Sequence, residues 1–138
     1  MIRPASDKRR KGWLLLLLAV VMSIFLFSQQ SGPDSAWLSN KVAAFLGLKG
    51  QGIFDASGRP LILGLSLRKL AHIFMFALLG FCSMGYFRSW RKAAAFCLAC
   101  ALLDEGHQML VAGRTGLIKD VGIDAVGAVI GILGKKLF

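Results

Sequence analysis

Along the chain, apolar runs alternate with short charged clusters. Trp13 to Phe27 carries no charge, and Leu70–Phe87, Ala93–Ala112 and Leu117–Leu133 follow as further apolar stretches. A helix rises 1.5 Å per residue, so about 20 such residues cross a hydrocarbon layer roughly 30 Å thick. The pattern predicts four transmembrane helices, at about 12–29, 69–87, 93–112 and 117–134. Between the first two, Gly32-Pro33-Asp34-Ser35 ends a helix, because Pro and Gly cannot continue it. Trp37, Leu38, Val42, Phe45 and Leu46 then recur at helical spacing with Asn40, Lys41 and Lys49 between them, which predicts a short amphipathic helix on the outer membrane surface. Residues 50–60 read as a polar, turn-rich loop, and Leu61 to Leu67 leads back into the bilayer.

The cations orient these spans. A basic start (Arg3, Lys8, Arg9, Arg10, Lys11) before a short apolar run resembles a signal peptide. Ser28-Gln29-Gln30-Ser31-Gly32 offers no cleavage site of the Ala-x-Ala kind, so an uncleaved first span is expected. With the N-terminus inside, Arg3, Lys8, Arg9, Arg10, Lys11, Arg88, Arg91, Lys92, Lys135 and Lys136 are cytoplasmic, 10 cations. Lys41, Lys49, Arg59, Arg68, Lys69, Arg114 and Lys119, 7 cations, lie outside. The excess inside favours this orientation. The expected fold class is therefore all-α: an integral membrane bundle of four transmembrane helices with a short outer interfacial helix and both termini cytoplasmic. Residues 1–11 form a basic cytoplasmic N-terminus, 12–134 the membrane domain and 135–138 a cytoplasmic tail.

Composition agrees. Among 138 residues 56% are hydrophobic, too many for an ordinary soluble domain of one core. Mean hydropathy is +0.64. The net charge of +10 comes from cations at the ends of apolar runs rather than from one basic face. That placement serves topology and lipid headgroups, and nucleic acid is rejected as a partner. Cys82, Cys97 and Cys100 lie within apolar runs. Cys97-x-x-Cys100 has neither the soluble setting of a redox motif nor the second pair of a zinc site, so all three read as small buried side chains.

Ionisable groups inside spans are costly and mark functional sites. The predicted topology brings three such groups to one level near the outer face: Arg68, Lys69 and His72; Asp104, Glu105, His107 and Gln108; and Arg114, Lys119, Asp120 and Asp124. Arg68 and His72, Asp104 and Gln108, and Asp120 and Asp124 are each four apart and share a helix face. Gly127-x-x-x-Gly131 admits a neighbouring backbone closely.

Two functional readings follow. In the first, Arg68, Lys69, His72, Asp104, Glu105, Gln108, Arg114, Asp120 and Asp124 line a pocket for an anionic amphiphile, a phospholipid or a lipid-linked wall precursor. The arginines would grip phosphate or carboxylate bidentately. In the second, Asp104, Glu105 and His72 are the catalytic candidates of a membrane-embedded enzyme, supplying a general acid and base. His72, His107, Asp104, Glu105, Asp120 and Asp124 are also enough ligands for a metal. His-Glu-x-x-His, Gly-x-Ser-x-Gly and P-loop motifs are missing, however, Ser66 and Ser83 have no nucleophile motif around them, and no metal or cofactor is expected. The bland reading is a network that only keeps helices in register. Interhelical polar contacts average under about 1 kcal/mol, so four acids and four bases are a costly way to do that. A structural subunit or small transporter would need to oligomerise, since no internal repeat is visible.

Arg68-Lys69-x-x-His72, Asp104-Glu105-x-x-Gln108, Gly113-Arg114-x-Gly116, and Asp120 followed by Gly127 resemble, in order and spacing, the VanZ-like family of small membrane proteins. Phe27-Ser28-Gln29-Gln30-Ser31-Gly32, with Ser35 and Ser39 after it, is similar to that family's N-terminal signature. The resemblance covers about residues 20–134. It departs at Asp124, where Asn is expected, and at Phe76, where Tyr is common. It implies a multi-pass protein of the cell (cytoplasmic) membrane with a role in the cell envelope, and the family name implies a link to teicoplanin resistance. Membrane lipids, a lipid-linked cell-wall precursor or a glycopeptide antibiotic are the partners expected; teicoplanin itself carries an acyl chain. A phosphotransbutyrylase activity, a label some relatives carry, is incompatible with this hydropathy.

Overall fold

The computed structural model describes residues 7–30, 32–47, 53–54, 60–62, 65–111 and 118–138. Its elements are α1 (Asp7–Ser28), α2 (Gly32–Phe45), β1 (Ile53–Phe54), β2 (Pro60–Ile62), β3 (Leu65–Ser66), α3 (Leu67–Phe87), α4 (Trp90–Gln108) and α5 (Ile118–Leu137). The described residues are mostly helical, as expected, with three short strands. They form an antiparallel meander, Ile53 opposite Leu61 and Leu61 opposite Ser66, where the sequence reading placed a loop and a lead-in. Pairing satisfies backbone groups next to an apolar bundle, which an irregular loop would leave to solvent.

Local chemistry explains several helix ends. α1 takes in the basic segment from Asp7 because an acid in the first turn complements the helix dipole, and Asp7 bridges Lys11 at 2.7 Å across one turn. Pro33 stands in the first turn of α2, where its missing N–H costs nothing. The corner between α3 and α4 turns on Arg88, whose φ of 54° is left-handed.

α3 is the central element. It packs on α5 most extensively, and on α1 and α4 as well. The α3–α5 contact is backbone against backbone. A Cβ at Gly127 would fall on the carbonyl of Ile73, one at Gly131 on the carbonyl of Ala77, and one at Gly80 on the carbonyl of Ala128. The Gly127-x-x-x-Gly131 pair anticipated a close approach, and α3 is what it approaches. Phe76, Leu79, Cys82, Cys97 and Ala101 fill the space between α3 and α4, with Leu17 and Ile24 closing it from α1. Cys97 donates its S–H to the Ser83 hydroxyl at 3.6 Å, so this part of the core includes a buried polar pair.

One end of the bundle is ringed by cations on aromatic faces. Lys135 lies 4.8 Å from the Trp13 ring and 4.9 Å from that of Phe81, while Arg10 is 5.3 Å from Tyr86. These contacts join the start of α1 to the ends of α3 and α5, so the first and last helices begin and finish at the same end. The other end carries the residues discussed below.

Two helices, α1 with 22 residues and α3 with 21, are long and apolar enough to cross a membrane. Only 17% of the apolar window of α1 is buried, the reverse of a soluble core helix. Leu98, Leu102 and Leu103 on α4 and Val126, Val129, Ile130 and Leu133 on α5 are also exposed, so apolar side chains face outward from every long helix.

Gly131→Ala tests the α3–α5 contact. Ala gains up to about 1 kcal/mol over Gly in a helix interior. A methyl driven into a carbonyl costs about 3 kcal/mol, so the clash wins. Gly131→Ala is expected to lower the unfolding temperature in detergent. Gly134→Ala, with nothing within 4 Å, is expected to leave it unchanged or raise it. Equal behaviour of the two variants would refute the close contact.

Candidate functional site

The site is assembled from one turn of each of α3, α4 and α5. Asp124 precedes Gly127 by three residues and shares its face, so the helix surface that touches α3 also carries the carboxylate. It meets His72 on the first turns of α3: Asp124 Oδ1 is 3.2 Å from His72 Nδ1. Asp104 reaches the same nitrogen from α4, with Oδ2 at 3.8 Å. Gln108, one turn further along, donates its amide N–H to that Asp104 oxygen at 2.7 Å. Asp124 is 1% exposed, Gln108 2% and Asp104 6%, so the charges are taken almost wholly out of solvent. The His72 ring lies nearly parallel to that of Phe76, with centroids 6.5 Å apart. The Phe76 phenyl is fully buried.

The remaining expected residues divide into three groups. Lys69 lies 3.5 Å from Asp120 and ties the start of α3 to that of α5 at the rim. Arg68 stands beside them. Glu105 is buried at the same level but lies outside the group whose donor atoms meet, and His107 turns toward α1, its ring 4.7 Å from that of Phe25. A helix turns about 100° per residue, so Glu105 and His107 fall to either side of the line through Asp104 and Gln108. Gly113, Arg114 and Gly116 lie outside the described residues.

Two spaces adjoin the cluster, and their sizes decide what each can hold. The polar one, among Arg68, Lys69, His72, Gln108, Asp120, Ile123 and Asp124, is about 10 Å³. That is room for about one water molecule and no headgroup. The apolar one is about 640 Å³, between α1, α2 and α3, lined by Ile24, Phe27, Leu38, Val42, Leu46, Leu70, Phe74, Met75 and Phe76 among others, with Arg68 and His72 in its wall. This lies well within the range of small-molecule pockets. Sequence reasoning missed it. The one available signal was the amphipathic pattern of α2, whose Leu38, Val42 and Leu46 cover the cavity instead of resting only on a surface.

A helical bundle with outward apolar faces, a buried carboxylate–imidazole–carboxylate cluster and an adjoining apolar cavity is the class of protein this structure defines. A family model described as VanZ/LLP1 matches residues 13–138, and the chain belongs to that family. No curated protein and no solved structure matches it.

The Gln108 amide is the Asp104 carboxylate's hydrogen-bond donor inside the bundle. A hydrogen bond to a charged group contributes about 1.5–3 kcal/mol. Gln108→Leu is therefore expected to destabilise the fold by about that amount in denaturant unfolding, and Gln108→Glu to do at least as much harm by setting a second acid against the first. An unchanged unfolding midpoint for Gln108→Leu would show that the bond contributes nothing.

Proposed function

We propose that this protein is a four-span membrane protein of the cell envelope that holds an anionic amphiphile, a phospholipid or a lipid-linked wall precursor. The observation that carries the reading is the 640 Å³ apolar cavity with Arg68 and His72 in its wall. An acyl or isoprenoid chain would occupy the apolar part and the anionic head would meet the Arg68 guanidinium, which matches phosphate or carboxylate with two parallel N–H donors. Asp104, Asp120 and Asp124 repel an anion, so they act behind the head rather than on it. Arg114 is the second cation of the proposed grip. The glycopeptide reading is the same proposal with a different occupant, teicoplanin, whose acyl chain would take the cavity.

The four-span reading rests on the outward apolar faces of α4 and α5. Their charges cluster at the helix ends, Arg91 and Lys92 against Asp104 and Glu105, and Lys119, Asp120 and Asp124 against Lys135 and Lys136. Such ends are suited to headgroup layers or to a bundle interior. Cations with Trp13, Tyr86 and Trp90 at the shared end of α1 and α5 suit the cytoplasmic interface. A reporter fused after Phe138 is expected to be active only in the cytoplasm; activity outside the cell would overturn the orientation.

The ligand is tested by native mass spectrometry of protein in detergent titrated with phosphatidylglycerol. Wild type is expected to retain the lipid. Loss of a charge-assisted bond worth about 1.5–3 kcal/mol predicts at least about tenfold weaker binding for Arg68→Gln. Ala71→Trp, which places a large ring in the cavity wall, is expected to abolish it. Equal retention by all three proteins would sink the proposal.

A second reading, a membrane-embedded enzyme, is favoured by the 3.8 Å approach of His72 to Asp104 beside that cavity. It would show as chemical change in the bound lipid over time, where the first reading expects none.

A further inference from the structure

We infer that His72, Asp104 and Asp124 form a binding site for one divalent first-row cation of the zinc or manganese class. Three helices deliver one imidazole nitrogen and two carboxylates to a single point, with donor atoms all within 4.8 Å of one another. A tetrahedral ion with ligands at about 2.0–2.2 Å holds adjacent donors about 3.4 Å apart. The separations from His72 Nδ1, 3.2 Å to Asp124 and 3.8 Å to Asp104, bracket that value. The wider of these two separations closes by about 0.4 Å on binding.

Hydrogen bonding points the same way. Asp104 Oδ1 and Asp124 Oδ2 are buried oxygens with no hydrogen-bond partner. A buried carboxylate oxygen left without a donor is costly, and each such oxygen in a folded protein calls for an explanation. Charge adds to this. Two carboxylates outweigh even a protonated imidazole by one unit, whereas a divalent ion balances them with the imidazole neutral. Lys69 lies 3.5 Å from Asp120, at the rim of the same small space.

The surroundings are those of a ligated site. Gln108 donates to Asp104 at 2.7 Å, the outer hydrogen bond that orients a ligating carboxylate. The adjoining 10 Å³ has room for one water as a further ligand. One imidazole with two carboxylates is too hard a set for copper(I), and its nitrogen disfavours magnesium and calcium. The sequence offers enough ligands for a metal, His72, Asp104 and Asp124 among them, but each of the three helices supplies one, so no local motif marks the site. The inference does not rest on the amphiphile reading, and the apolar cavity stands without it.

The test is metal content and metal-dependent stability of the full chain in detergent. Protein purified without chelators is expected to carry about one zinc or manganese ion per chain by plasma mass spectrometry. After EDTA and its removal, ZnCl2 or MnCl2 at about a hundredfold excess over Kd is expected to raise the unfolding temperature by about 5 °C or more. Asp124→Asn and His72→Gln keep a polar group of similar size, so they are expected to fold. Each should lose the ion and the metal-induced rise. Wild type with neither bound metal nor a rise would overturn the proposal and leave an imidazole between two aspartates that only ties helices together. A rise of the same size in both variants would overturn it too, by placing the ion elsewhere.

Discussion

The backbone contact between α3 and α5 is the constraint on which the rest depends. Gly127 and Gly131 have no side chain to hold the helices apart, and Gly80 answers them from the other side. Helices this close bring Asp124 within 3.2 Å of an imidazole on the neighbouring helix. A larger residue at position 127 or 131 would not merely loosen the packing. It would withdraw the carboxylate from its partner and leave both buried, the costliest state for such groups. The small-residue stripe and the buried charges are therefore one device, with the glycines supplying the distance and the ionisable groups supplying the specificity.

That device also separates two chemistries lying side by side. The acid-rich side has room for about one water, while the apolar side has about 640 Å³. Among the described residues, only His72 and Arg68 face both. Space, more than charge, makes the division: a cluster rich in opposite charges looks like a pocket in sequence, yet attraction between the charges closes it. What remains open is the region where apolar side chains of α1, α2 and α3 meet without fully interlocking.

Much of this was legible from residue spacing. Alternating spans placed three polar clusters at one level, and the i, i+4 pairs placed Asp104 with Gln108 and Asp120 with Asp124 on shared faces. The fit of Gly127 and Gly131 to a neighbour was legible too, although which neighbour was not, because a small residue says how near another helix can come and nothing about its identity. Glu105 was grouped with the site by proximity in sequence, whereas His107 stood apart from the 104/108 face and was left out of it. A helix turns 100° per residue, and that rotation carries His107 to Phe25. The meander at residues 53–66 escaped because its strands are two or three residues long, too short for any alternation to register. The cavity escaped for a different reason, since empty space depends on how elements fail to meet.

The aspartate at position 124, where the family resemblance led to an expectation of Asn, takes on a physical meaning under the proposed cation site. With Asn there, the cluster would hold one buried carboxylate beside the imidazole, and a protonated ring alone would balance it. Asp adds a second buried charge that the ring cannot balance by itself, together with an oxygen that has no hydrogen-bond donor. A substitution this unfavourable for an isolated pair becomes favourable when a divalent ion sits between the two acids. Phe76, where the resemblance led to an expectation of Tyr, fits the same logic. A hydroxyl near the imidazole could donate to one carboxylate and lessen the need for a cation, whereas a phenyl ring offers no donor beside those of His72 and Gln108.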